Sequence, residues 1–270
     1  MTRIGLVQMN SGIDASANAA VLSDAIAKLA ADGAQIVFTP EMSGLLDLDG
    51  DRLQANVRSE ADDVALMAVR MAARKAGIWV ALGSLALRDP DAERLSNRSF
   101  LIDDQGESVA RYDKIHLFDV DLGAGERYAE SNRFCGGDRA VVADSPIGRL
   151  ALSICYDIRF SRLYDRMADE GADVIAIPAA FTRPTGAAHW HLLARARAVE
   201  TTAFVVAAAQ TGRHEDGRTT YGHSLVVDPW GEVLLDMGET PGIAICDIDL
   251  DRIADIRRRL PSRAHRTHIG

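Results

Sequence analysis

The chain has 270 residues, 47% of them hydrophobic and 26% charged, proportions of a folded globular protein and not of a disordered or low-complexity one. Its net charge of −9 argues against general affinity for nucleic acid or anionic membrane, since both need a basic surface, but leaves room for an anionic small substrate held by local arginines. No apolar run reaches bilayer-crossing length. Cys135, Cys155 and Cys246 are odd in number and lack Cys-x-x-Cys spacing, which fits a reducing cytoplasm.

The first residues enter a strand over 3–9 without the basic, apolar and cleavable segments of a leader. Ser16 and Asn18 offer caps to an alanine-rich helix that stops near Gly33, and strand 35–39 then delivers Glu41. Ser59-Glu-Ala-Asp-Asp63 puts a cap and acidic residues at the positive end of a helix dipole, with Gly77 closing that helix. Strands follow near 78–87, 97–103 and 107–112, the last two joined by the hairpin turn Asp103-Asp-Gln-Gly106. The strand 107–112 delivers Lys114. Residues 115–138 lack clean periodicity and read as a long loop of the kind that lines active sites.

Strand 139–143, the turn Ser145-Pro-Ile-Gly148 and strand 149–154 lead to Cys155, after which a helix runs through Ser161-Arg-Leu-Tyr-Asp-Arg-Met-Ala168. Strand 173–177, helix 187–202 and the unbroken apolar strand 203–209 follow, the last typical of a sheet interior. Strands near 223–228 and 232–236 flank Asp228-Pro-Trp-Gly231, strand 243–248 alternates, and a short basic helix leads to a polar tail. No Pro/Gly/Ser-rich linker divides the chain, so residues 1–270 form a single α/β domain of mixed strands with outer helices.

A cysteine after a buried strand is most often a small core residue, and Cys246, inside an alternating strand, fits that description. Cys155 differs because a helix starting just after it offers free N–H groups and partial positive charge, which favour a thiolate and can hold an oxyanion. Glu41 and Lys114 also follow apolar strands directly; if all three strands share one sheet and direction, the side chains meet at one edge. A carboxylate in such a cleft has its pKa raised, as a general base requires.

The remaining motifs are weaker. His189 and His191 stand two apart on a helix and face different ways, while His265 and His268 lie near the terminus, so no metal is expected. Gly123-Ala-Gly125 lacks the spacing of a dinucleotide loop, and no Gly-Lys-Ser/Thr occurs, so no cofactor is expected. Gly222-His-Ser224 lacks the last glycine of a serine-hydrolase elbow.

Pro40-Glu41-Met42, Tyr112-Asp-Lys114-Ile-His-Leu-Phe118 and Ile154-Cys155-Tyr-Asp-Ile-Arg159-Phe160 resemble, in this order, the three motifs of the nitrilase superfamily of carbon-nitrogen hydrolases. The resemblance runs from residue 3 to the carboxyl end. It implies a four-layer αββα sandwich, a homodimer or higher homo-oligomer formed through helices near the cysteine and C-terminal segments, and a tail over about 260–270 at a subunit contact. It implies Glu41 as general base, Lys114 as electrostatic support, Cys155 as nucleophile, Glu130 as accessory glutamate and the Tyr156 backbone N–H as oxyanion donor.

Thr185 to Glu200, Ala207-Ala-Ala-Gln-Thr-Gly-Arg-His214 and Tyr221 to Gly231 are similar to the branch that contains deaminated glutathione amidase and ω-amidase. His191 departs from the His-Trp-Glu form of the first segment, and Ser43-Gly-Leu-Leu-Asp-Leu-Asp49 matches neither relative closely. The branch implies a small anionic amide as substrate, cleaved through a thioester without a cofactor. Deaminated glutathione stands first, α-ketoglutaramate-type acids second, with nitrile hydrolysis or a non-catalytic role more distant. Arg159, Arg183 and Arg213 are the arginines expected to hold a substrate carboxylate, and Arg159 has the alternative role of bracing its loop.

Overall fold

The computed structural model describes residues 1–89, 91–123 and 127–267; Gly125, His268 and the last two residues of the tail lie outside this range. The first half contains β1 (Thr2–Gln8), α1 (Ala15–Ala31), β2 (Ile36–Phe38), α2 (Gly50–Asn56), α3 (Val64–Ala76), β3 (Trp79–Leu87), β4 (Leu95–Ile102) and β5 (Ser108–Asp113). The short strands β6 (Asp119–Asp121), β7 (Arg127–Ala129) and β8 (Phe134–Cys135) follow, then β9 (Val141–Ser145), β10 (Gly148–Leu152), α4 (Ser161–Asp169) and β11 (Val174–Ala176). The chain continues through α5 (Arg183–Thr201), β12 (Phe204–Ala207), β13 (Thr211–Arg213), β14 (Thr219–Tyr221), β15 (Leu225–Val227), β16 (Val233–Asp236), β17 (Gly242–Ile248) and α6 (Asp251–Arg259).

Two mixed sheets form the centre. One has the order β17-β1-β2-β3-β4-β5, with β8 beside β4, and the other has the order β16-β15-β12-β11-β10-β9. Strand alternation explains how the first sheet is covered on both sides. Ile4, Leu6, Ile36, Phe38 and Leu101 share a core with Leu150, Leu152, Ile175 and Val205 of the second sheet. Val7, Val37, Val80, Phe100 and Ile102, in the alternate register, pack with Leu22, Ile26 and Leu29 of α1 and Leu66 and Val69 of α3. The second sheet's core also takes in Leu163, Tyr164 and Met167 of α4 and Trp190, Ala194 and Ala198 of α5. The layers are therefore helix, sheet, sheet, helix, as the resemblance implied.

Several local readings shift. The cap of α1 is Asp14, which accepts from Ser16 N at 2.8 Å and Ala17 N at 3.2 Å. Asn18 is instead a buried tie that donates to Gly12 O and Gly44 O, each at 3.0 Å. Asp63, not Ser59, caps α3, accepting from Leu66 N at 2.8 Å, and Gly77 ends it in the left-handed region at φ 62°. The stretch after Glu41 contains the unforeseen α2, capped by Asp49. Residues 115–138 hold the small β6–β7 ladder and β8 instead of a structureless loop.

Strand direction positions the site. β2 and β3 run parallel, and β3, β4 and β5 alternate, so β2 and β5 release the chain at the same edge. Cys155 follows β10, which belongs to the second sheet. The three strands thus do not share one sheet; the residues meet because the two sheets stack face to face. Gly83 makes one approach possible, since a Cβ there would lie 2.1 Å from Thr39 O and 2.3 Å from Pro40 O. Gly83→Ala must push away the backbone that carries Glu41. Its urea midpoint should fall by the equivalent of about 1–3 kcal/mol, and a midpoint equal to the parent protein's would show that this segment can yield without cost.

Candidate active site

Glu41, Lys114 and Cys155 are all buried, with 4%, 2% and 8% of their surface exposed. Glu41 is held by its backbone as much as by its side chain. Gly83 N donates to Thr39 Oγ1 at 2.9 Å, Met42 N to Ser84 Oγ at 3.0 Å, and Gln210 Nε2 to Glu41 O at 2.9 Å. Lys114 is fixed by its own N–H to Asn97 O and by Gly137 N to Lys114 O, both at 2.9 Å. Cys155 opens a 3₁₀ turn spanning Cys155–Arg159. Its φ is 48°, unusual for a residue with a Cβ, and its N–H is held by Pro178 O at 2.8 Å.

Asp157, wholly buried, ties the cysteine turn to the lysine strand. Its Oδ2 accepts from Ile154 N at 2.9 Å and Tyr112 OH at 2.6 Å, and its Oδ1 accepts from His116 N at 3.0 Å. Tyr112 and His116 flank Lys114 by two residues on either side. One carboxylate therefore ties the turn that carries the thiol to the strand that carries the ammonium.

The Lys114 ammonium donates to Glu41 Oε1 at 2.8 Å and to Glu130 Oε2 at 2.9 Å. Asn97 spans the same two carboxylates, donating Nδ2 to Glu41 Oε1 at 3.0 Å and to Glu130 Oε1 at 3.3 Å. Ala180 N donates to Glu41 Oε2 at 2.9 Å, and Phe118 N to Glu130 Oε2 at 2.7 Å. The Cys155 thiol completes the group beside the Glu41 carboxylate, close enough for each to act on the other's protonation. The resemblance points to Glu130, whereas nothing in the sequence marks one asparagine in a strand as the residue that spans two buried carboxylates.

Burial pushes the Glu41 pKa up, but the charge and hydrogen bond of Lys114, with help from Cys155 and Asn97, outweigh it and hold the group below its usual value. That reverses the rise expected from burial alone. Burial likewise pulls Lys114 down, and Glu130 and Glu41 more than reverse it. The Cys155 thiol is pushed well up by burial and then by the Glu41 charge, against the opposing pull of Lys114. The expected thiolate-favouring helix start does not prevail, because it is a short 3₁₀ turn and burial acts on the thiol first. The resting group is a carboxylate, an ammonium and a neutral thiol.

These residues stand at the base of a cavity of about 350 Å³, whose lining also includes Phe118, Tyr156, Phe181, Thr185 and Thr220. Its other cations are Arg127, Arg133 and Arg218. Arg218 pairs with Asp216 and Arg127 with Asp121, each at 2.7 Å. Arg133, packed over Gly50, has no ion pair or guanidinium hydrogen bond among the described residues.

Arg159, Arg183 and Arg213 are not among the lining residues. Arg159 lies 3.4 Å from His189 Nδ1 and over the Tyr156 and Phe181 rings, Arg183 pairs with Glu239 at 2.9 Å, and Arg213 is an exposed residue of β13. Cys246 is buried beside the β1 edge, its pKa raised to about 11 by burial and then by Asp247. Cys135 is half-buried in β8.

The carbon-nitrogen hydrolase family model matches residues 3–258. The chain is 37% identical to a deaminated glutathione amidase of Yersinia enterocolitica, over 99% of this chain and 93% of that protein. It is 36% identical to the human deaminated glutathione amidase, over 97% of this chain and 81% of that one. Its fold superposes on the Caenorhabditis elegans NitFhit protein with a TM-score of 0.90 at 38% identity, covering 98% of this chain and 65% of NitFhit. This chain therefore spans less than two thirds of the NitFhit polypeptide. A mutant of the amidase from Nesterenkonia sp. AN1, solved with acrylamide added at its active-site cysteine, matches with a TM-score of 0.80 at 29% identity over 98% of this chain and all of that one. The chain belongs to the carbon-nitrogen hydrolase family, within the nitrilase superfamily. It is an amidase, a hydrolase of carbon-nitrogen bonds.

Lys114→Met should leave Glu41 and Glu130 buried without their shared cation, at a cost of about 3–5 kcal/mol in stability. Without the opposing charge, burial raises the Glu41 pKa above its unfolded value, so the deficit is present at neutral pH and shrinks as pH falls through that raised value. Urea melts of parent and variant between pH 7 and about pH 5 check this; a deficit independent of pH would contradict the charge argument.

Proposed function

We propose that this enzyme hydrolyses a small anionic amide through a thioester on Cys155, with deaminated glutathione as the first-ranked substrate and α-ketoglutarate and Cys-Gly as the products. The observation that carries this reading is a buried thiol in one cavity with a carboxylate that is itself held ionised by a buried ammonium. Cys155 Sγ attacks the amide carbonyl carbon as its proton passes to Glu41. Because the thiol is pushed up and the glutamate held down, the proton is transferred as the C–S bond forms and not before. Lys114 and the Tyr156 N–H, early in a 3₁₀ turn where N–H groups lack intrahelical partners, stabilise the oxyanion. Glu41 returns the proton to the leaving nitrogen and the C–N bond breaks; a water deprotonated by Glu41 then attacks the thioester, the C–S bond breaks, and Glu41 passes that proton to Sγ while Glu130 keeps Lys114 and the Phe118 loop in place. No metal or cofactor enters the scheme. Loss of one such oxyanion donor typically costs about 3 kcal/mol, roughly a hundredfold in rate.

The names of the relatives support deaminated glutathione over α-ketoglutaramate, and the cavity volume lies in the range of small-molecule sites. Arg133 takes the role of substrate cation, because it lines the cavity while Arg127 and Arg218 already have carboxylate partners. Arg159 keeps the bracing role through His189 and the two rings beside it. The proposal extends to a cytoplasmic homodimer, supported by three free cysteines and by Leu192 and Val199, which are 67% and 41% exposed on α5.

A panel of amides separates the substrates: release of Cys-Gly supports deaminated glutathione, ammonia from α-ketoglutaramate supports the alternative, and turnover by Cys155→Ala would defeat the scheme. Intact mass of a slowly deacylating variant should show the acyl group on Cys155. Arg133→Ala should raise KM for anionic amides by about tenfold to a hundredfold, the value of a charged hydrogen bond, and leave neutral amides unaffected. Equal effects on both substrate types would remove Arg133 from carboxylate recognition.

A further inference from the structure

His191, His223 and Asp236 bring three metal-binding side chains together outside the active-site cavity, and none has a part in the proposed reaction. Their donor atoms lie within 4.8 Å of one another, the one such grouping of three among the described residues. They come from separate elements: His191 from α5, His223 from the bend after β14, and Asp236 from the end of β16. His189 and His191 do point apart, so it is tertiary packing and not helix spacing that supplies the second imidazole.

The geometry is close to that of a coordination shell. Asp236 Oδ2 is 3.0 Å from His191 Nε2 and 3.1 Å from His223 Nδ1, and Oδ1 is 2.8 Å from His223 Nδ1. Ligands bound tetrahedrally to zinc at roughly 2.0–2.1 Å lie about 3.4 Å apart. Drawing the three groups onto one ion would replace the N–H···O contacts with metal bonds, each neutral imidazole keeping its one proton on the ring nitrogen that faces away from the metal. Two imidazoles and a carboxylate suit a borderline cation such as Zn²⁺, with a fourth position left for water; Mg²⁺ and Ca²⁺ prefer oxygen alone.

The ligands are also held in place. His223 has a φ of 55°, a left-handed conformation for a residue with a Cβ, and such outliers gather at ligand clamps. Its N–H donates to Gly238 O at 2.6 Å and its carbonyl accepts from Trp190 Nε1 at 2.7 Å. The His223 ring stacks on Tyr221 at 4.4 Å, and His191 meets Tyr221 edge-on at 6.2 Å. Gly238 N donates to Asp236 Oδ1 at 2.9 Å.

We propose that His191, His223 and Asp236 form a structural zinc site that clips α5 to the β14–β16 region. β14 supplies Thr219 and Thr220 to the cavity wall, so the clip braces that wall without touching the reacting atoms. His191 stands where the His-Trp-Glu form of the motif has a carboxylate, and supplies the imidazole that makes the donor set zinc-like.

The test uses untagged full-length protein stripped with a chelator, titrated with Zn²⁺ by calorimetry and with Co²⁺ by visible absorption. One equivalent of Zn²⁺ should bind and raise the melting temperature, and Co²⁺ should give tetrahedral d–d bands without thiolate charge transfer. His191→Gln and Asp236→Asn should each weaken Zn²⁺ binding more than about tenfold, at least the loss seen on removing an outer-shell partner, with unchanged circular dichroism. If Asp236→Asn fails to fold, His191→Ala on the partly exposed face of α5 gives the same reading through weaker zinc binding. No bound equivalent, binding that survives the His191 substitutions, or a thiolate charge-transfer band would overturn the proposal.

Discussion

A single buried ammonium holds two carboxylates in place, and most of the molecule's architecture can be read as what that arrangement requires. Charges taken out of water are costly unless they are paired and hydrogen-bonded. Glu41 and Glu130 each gain a strong bond from Lys114, and each also accepts a backbone N–H, from Ala180 at Glu41 Oε2 and from Phe118 at Glu130 Oε2. Those donors belong to different loops, so the charges can be satisfied only when both sheets and the 115–138 segment are assembled. The proposed chemistry uses this enforced imbalance, in which an ionised carboxylate lies beside a thiol that burial keeps protonated.

Asp157 transmits this order to the nucleophile. Without it, the positive φ at Cys155 and the placement of the lysine strand would be independent of each other. With it, Tyr112, His116 and Ile154 share one acceptor. The turn that presents Tyr156 N–H and the strand that presents Lys114 then move as one body. Pre-positioned donors of this kind need no reorganisation when charge develops, and the glycine at position 83 serves the same end on the Glu41 side.

Glu41, Lys114 and Cys155 were legible in the sequence because apolar runs end abruptly at polar residues, and that contrast survives whatever the sheet partners are. The layer order came from the resemblance, and the alternation of Ile4, Leu6 and Val7 agrees with it. Which sheet Cys155 belongs to was not legible, since strand pairing depends on contacts far apart in sequence. Burial alone also gave the wrong direction for Glu41, because a lysine seventy-three positions away decides it. Arg133 and Arg218 could not be preferred over Arg159, since β7, β8 and β14 are too short to carry a readable period. The helix caps were misassigned within a few residues, because Asp14, Ser16 and Asn18 are all acceptable caps and only their tertiary partners distinguish them.

The pairing of β17 with β1 along all of Thr2–Gln8 has a consequence for biosynthesis. β1 is made well before its antiparallel neighbour β17, the last strand of this sheet in sequence order. Until then one edge of β1 offers unpaired backbone donors and acceptors, a template for strands of other chains. Gly5 and Arg3 limit the hazard by leaving one position without a side chain and another charged. The first sheet is thus complete only when β17 has docked on β1, joining the two strands that stand furthest apart in that sheet's sequence order.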